Sequence, residues 1–248
     1  EISTRDWSSD VCSSDLLANE AVFGVNAEIV PDLSKADIIV SIDHDFLGTD
    51  KHSVYHTAGF SDNRKPTTEQ PTMNALISIE AGFSLTGANA DHRFAIQPSE
   101  YESVIAGILA QVYTAKGIAL PSGLTPVSND AVTKTAKALL DSKNGIVMIG
   151  SHLSQKANAY GQMINQALGS VGEGKPINLN HRLYNSSDVS ASLSAFRASL
   201  KNKEIGSIVY VDTNPEYCAD SELKKLLSEQ VDFSAALDRK STRLNSSH

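Results

Sequence analysis

Asp43-His44-Asp45 closes an apolar run, DIIVSID over residues 37–43, and so gathers two carboxylates and an imidazole at one strand end. If the strand continued, alternation would turn Asp43 and Asp45 to one side, where they could share a divalent cation, and His44 to the other. Such ions take roughly six to eight oxygen ligands, and no second Asp-x-Asp pair lies nearby, so the triplet reads as a polar strand end rather than a metal site. His52 and His56 stand four apart, the spacing of zinc-binding helices. Without the glutamate of a His-Glu-x-x-His motif and without a third ligand, they read as a solvated helix face. GSVGEGK at residues 169–175 matches the front of a phosphate-binding loop, but Pro176 stands where Ser or Thr must hold magnesium. A helix also precedes this loop where a strand is required, so it is not read as a nucleotide site. Cys218 is read as packing, Asn214-Pro215 as a turn beyond a strand ending at Asp212, and Asn185-Ser-Ser as a chance glycosylation sequon. No nucleophile triad, dinucleotide fingerprint or basic aromatic patch is present, and residue chemistry alone yields no complete active site.

These residues must be positioned by alternating strands and helices. Residues 37–43, 75–81, 145–150 and 207–212 are short apolar strands. Between them lie helical patterns at 99–113, 131–140, 154–168, 189–200 and 221–227, with a turn-rich stretch from Leu85 to Phe94 and a linker at 121–129. Ser99 with Glu102 three residues on reads as a capping box, and Val104, Ile105, Ile108, Leu109 and Val112 as the buried stripe of that helix. Gly169 is placed to end the 154–168 helix. Continuous apolar strands separated by helices mean parallel βαβ units, so the fold class is α/β with open, doubly wound, mostly parallel sheets. In such sheets ligands sit beyond the C-terminal strand ends, where Asp43, Glu80, Gly150 and Asp212 fall.

The 248-residue chain has a formal charge of −8, which argues against nucleic acid or an acidic membrane surface as partner. No apolar run reaches the length of a membrane span. Its two ends are related through nucleic acid: one back-translation of DRKSTRLNSSH, 238–248, read on its reverse complement, encodes DWSSDVCSSD, 6–15, and then opens a codon that suits Leu16. They resemble the two orientations of one sequencing-library adapter, so residues 1–16 and 238–248 are set aside as adapter-derived. Trp7 and Cys12 go with them, leaving Cys218 without a disulfide partner or a thiolate set for zinc or an iron–sulfur cluster. The remaining chain divides at the glycines Gly172 and Gly174 into an α/β domain, 17–172, and part of a second, 173–237, and is expected to belong to a longer protein.

One resemblance spans nearly all of residues 17–237. The succession ADIIVSIDHDFLGT, MNALISIEAGFSLTGANADHRFAIQPSEYESVIAGIL, GIVMIGSHLS, INQALGSVGEG and IVYVDTNPEYCAD is similar in order and spacing to molybdopterin oxidoreductases. Within that family, DFLGT and LTGANADHR resemble the large subunit of bacterial alternative complex III, a Tat-translocated, molybdopterin-oxidoreductase-like protein. The resemblance implies that Asp43, His44, Asp45, Glu80, Thr86, Asp91, Arg93, Asn214 and Pro215 are vestiges of a pterin pocket. Where relatives carry GxNP this chain has Asp43-His44-Asp45-Phe46, where they carry DPR it has Glu80-Ala81-Gly82, and their RPG turn is Gln97-Pro98-Ser99. A pyrophosphate favours N–H donors and Arg, and is repelled by carboxylates at close range.

The implied protein is therefore a cofactor-less scaffold in an electron-transfer subunit, not catalytic by itself. Its iron–sulfur clusters lie elsewhere in the full chain. Its partners are a membrane quinol-binding subunit and cytochrome c subunits, at the periplasmic face of the inner membrane. Two alternatives stay open: a fragment of an active molybdopterin guanine dinucleotide enzyme, and a soluble α/β ligand-binding domain. Sequencing the source DNA outward across both junctions is expected to remove the adapter peptides and run downstream into cysteine-rich ferredoxin motifs. An upstream cluster motif with a molybdenum-ligand residue would favour the active enzyme instead.

Overall fold

The computed structural model describes residues 14–66, 68, 71–185, 189–211, 217 and 219–237. The chain forms two compact units that meet in sequence between residues 186 and 187. In the first unit the elements run α1 (Ser14–Phe23), β1 (Ala27–Ile29), β2 (Ile38–Ile42), α2 (Ser53–Asp62), β3 (Ala75–Glu80), α3 (Leu85–Ala88), β4 (His92–Ala95), α4 (Tyr101–Lys116), α5 (Asp130–Asp141), β5 (Gly145–Ile149), α6 (Gln155–Leu168) and β6 (Arg182–Asn185). The second unit holds α7 (Val189–Lys201), β7 (Ser207–Val211), α8 (Ser221–Gln230) and β8 (Phe233–Leu237). No helix among the described residues is long and apolar enough to cross a membrane. Helix α1 opens inside the adapter-like stretch, at Ser14.

A four-stranded parallel sheet in the order β4-β3-β2-β5 organises the first unit. Both faces are covered, which is why its strands read as continuous apolar runs. Strand alternation deals Val40, Ile42, Ile77, Ile79 and Val147 to one face, against α4, α5 and α6. Ile39, Leu76, Ile146 and Met148 go to the other, against Phe46, Phe60 and Leu33. The α/β class is thus as the apolar periodicity requires. The stripe Val104, Ile105, Ile108, Leu109 and Val112 is fully buried. Gly169, at φ +72°, ends α6, and its N–H donates to Gln166.

Three local expectations change. The first strand stops at Ile42, because Asp43 turns into the left-handed region at φ +48°. The turn-rich stretch from Leu85 contains a short helix and the edge strand β4. The capping box lies two residues before Ser99 and belongs to a 3-10 turn, Pro98–Glu100, that precedes α4: the Gln97 N–H donates to the Glu100 carboxylate at 2.8 Å. Residues 173–185 return to the first unit. The Asp32 N–H donates to the Pro176 carbonyl at 2.8 Å, and β6 pairs antiparallel with β1.

In the second unit β7 and β8 form a parallel pair. Arg197 of α7 ties to α8 through Asp220, the N-terminal cap, and through Glu222 at 2.9 Å.

The outer edge of β5 is finished by side chains rather than by a strand. Asn165 of α6 accepts from the Val147 N–H at 2.8 Å and donates to the Val147 carbonyl at 2.9 Å, while Ser170 donates to the Gly145 carbonyl. An Asn165→Leu substitution leaves both Val147 groups buried and unpaired. It is expected to lower unfolding free energy by about 1–3 kcal/mol in urea titration.

Candidate functional site

The connection from β2 leads to β3 on one side of the sheet, whereas β5 lies on the other side of β2. The topological switch point is therefore between β2 and β5, and its crevice opens at Asp43 and at Gly150-Ser151-His152. A groove of about 470 Å³ lies there, extending across the end of β3 to Glu80. The Asp43 carboxylate meets the Nε2 of His152 at 2.7 Å, bridging the crevice from strand end to strand end. Gly150 allows this closeness, since a Cβ there would lie 2.3 Å from the Asp43 carbonyl oxygen. Behind the pair, the Tyr101 hydroxyl accepts from the Ala81 N–H at 2.6 Å. Burial, then the Asp43 carboxylate beside it, raises the Tyr101 pKa.

Asp43 and Asp45 line the same groove but share no partner, and the left-handed turn at Asp43 breaks the strand alternation. Asp45 instead accepts from the N–H and hydroxyl of Thr86, at 2.9 and 2.8 Å, and from the Thr49 N–H at 3.1 Å. Burial alone would raise its pKa; these donors bring it below the ordinary carboxylate value. Thr86, fully buried, also accepts from the Leu47 N–H at 3.0 Å.

Glu80 is only 4% exposed at the end of β3. Arg93 Nε donates to it at 2.6 Å and the Ser84 hydroxyl at 2.5 Å. Glu80 thus has a cationic partner, supplied by β4. Gly87 packs so closely on Glu80 that a Cβ would lie 1.8 Å from its Oε1. Asp91 takes both nitrogens of Arg64 at 2.9 Å and the Leu76 N–H at 2.7 Å. Burial opposes its ionisation, and the Arg64 and Leu76 donors more than offset that, lowering its pKa.

His44 turns to Asp50, with its Nε2 3.0 Å from Oδ2. His52 and His56 do not form a solvated face. His56 is 2% exposed, its ring against those of Phe46 and His44, because α2 turns it inward with Phe60. His52 bonds Glu28 at 2.7 Å. Burial would raise the Asp50 pKa, but His44 and then His56 drive it far below the usual range. Among the described residues no group of three His, Cys, Asp or Glu is arranged to hold a metal ion. The 169–175 loop directs Lys175 to Asn144 at 2.9 Å. Asp212, Asn214, Pro215 and Cys218 lie outside the described residues.

Seven of the nine sequence-named residues are described; six lie at or beside the C-terminal ends of β2 and β3, whereas Asp91 lies at the opposite end of the sheet, bonded to the Leu76 N–H at the start of β3. Sequence reasoning missed His152, Tyr101 and Asp50. His152 carried a usable signal, since it stands two residues past a strand-ending glycine.

No family model matches the chain, and no curated protein matches it. Among solved structures it is similar to acetylene hydratase from Pelobacter acetylenicus, with TM-score 0.51 and 10% identity over 68% of this chain and 26% of that one. It is also similar to the formyltransferase/hydrolase complex of Methylorubrum extorquens, with TM-score 0.42 and 15% identity over 79% of this chain and 49% of that one. The chain thus spans about a quarter and about half of these two. The first likeness is one of fold; at this identity neither carries an activity across.

The residues present do not fit a molybdopterin dinucleotide. The N–H groups of Thr86 and Gly87 that could meet a pyrophosphate are taken by Asp45 and by the Ser84 hydroxyl. Arg93 is held by Glu80. Asp43, Asp45, Asp50 and Glu80 line the same groove and would repel the anion.

The lowered pKa values of Asp45, Asp50 and Asp91 mean that their stabilisation is complete above the unfolded carboxylate value and is lost as pH falls below about 4. Circular dichroism is expected to show acid unfolding beginning there. An Asp50→Asn variant should be about 1–3 kcal/mol less stable at neutral pH, with a shallower dependence below pH 4.

Proposed function

We propose that this chain is a cofactor-free, molybdopterin-oxidoreductase-like scaffold region of an electron-transfer subunit, from a quinol-oxidising respiratory complex of the alternative complex III kind. One observation carries this reading. Each of the described carboxylates that line the groove at the strand ends, where such folds take their ligand, is bonded to a neighbour in the same chain: Asp43 to His152, Asp45 to Thr86, Asp50 to His44 and Glu80 to Arg93. The fold likeness to acetylene hydratase, a molybdenum/tungsten enzyme, supports the family-level part. The finer part rests on the resemblance of DFLGT and LTGANADHR.

In this reading the loops keep the architecture of a pterin pocket, and internal ion pairs fill the place of the anionic ligand. Positioning neighbouring electron carriers is then the subunit's work. Iron–sulfur clusters sit elsewhere in its full chain, and membrane quinol-binding and cytochrome c subunits are its neighbours at the periplasmic face.

Metal analysis of the purified native complex should find no molybdenum or tungsten stoichiometric with this subunit. One metal per chain would overturn the reading in favour of an active molybdenum enzyme. Arg93→Ala should lower stability by about 3 kcal/mol, because it strands the buried Glu80 charge, while leaving metal content unchanged.

A further inference from the structure

We draw no further inference here: the strongest candidate, the open β4 margin of the four-stranded sheet beside the exposed Phe83 ring that stacks with Arg93, carries nothing, because nothing among the described residues shows what covers it.

Discussion

A carboxylate buried at the end of a central parallel strand must find donors within the protein, because water cannot reach it. Glu80 meets that constraint with Arg93 and Ser84, and much of the surrounding geometry follows. Ser84 is the N-cap of α3, so the same side chain that answers Glu80 sets where the helix begins. Gly87 then has to be glycine, because the helix backbone lies against the carboxylate. Thr86, one residue earlier, is thereby delivered to Asp45 and to the Leu47 N–H, which fixes the loop after β2. One buried charge thus couples the ends of three strands. Deleting either ionic partner alone costs far more than never having had the pair.

The same chain of contacts explains why the acidic strand ends, among the described residues, do not converge on a set that could hold a metal ion. Each carboxylate faces a different donor, so their charges are spread over separate partners instead of converging on one point. Asp43 pairs across the switch point, Asp45 toward α3 and Asp50 toward two imidazoles. A ligand entering this groove would have to displace bonds already made within the chain.

Sequence patterning revealed what repeats and missed what depends on distant residues. The buried strands, the stripe of α4 and the glycine stop of α6 were legible because each rests on local periodicity or one backbone preference. The strand ends were legible as positions: apolar runs halted at Asp43 and Glu80, and these are where the groove opens. Their partners were not. His152 lies 109 residues from Asp43, and Arg93 lies 13 from Glu80. No local rule joins such pairs, which only the sheet order brings together. The solvated face assigned to His52 and His56 failed for a related reason. Four-residue spacing says that two side chains share a face but not whether that face meets solvent, and Phe46 and Phe60 decided it.

Asn165 matches the donor and acceptor of Val147 with its own amide, a side-chain imitation of the strand that would otherwise come next. With Ser170 on Gly145 beside it, β5 offers no template for a further strand over that stretch. The sheet therefore has a direction of growth. Any β-augmentation of this sheet, whether by another protein or by misassembly with a second copy, is directed to the short β4 margin, because the opposite side is terminated by one amide and one hydroxyl rather than by charge or proline.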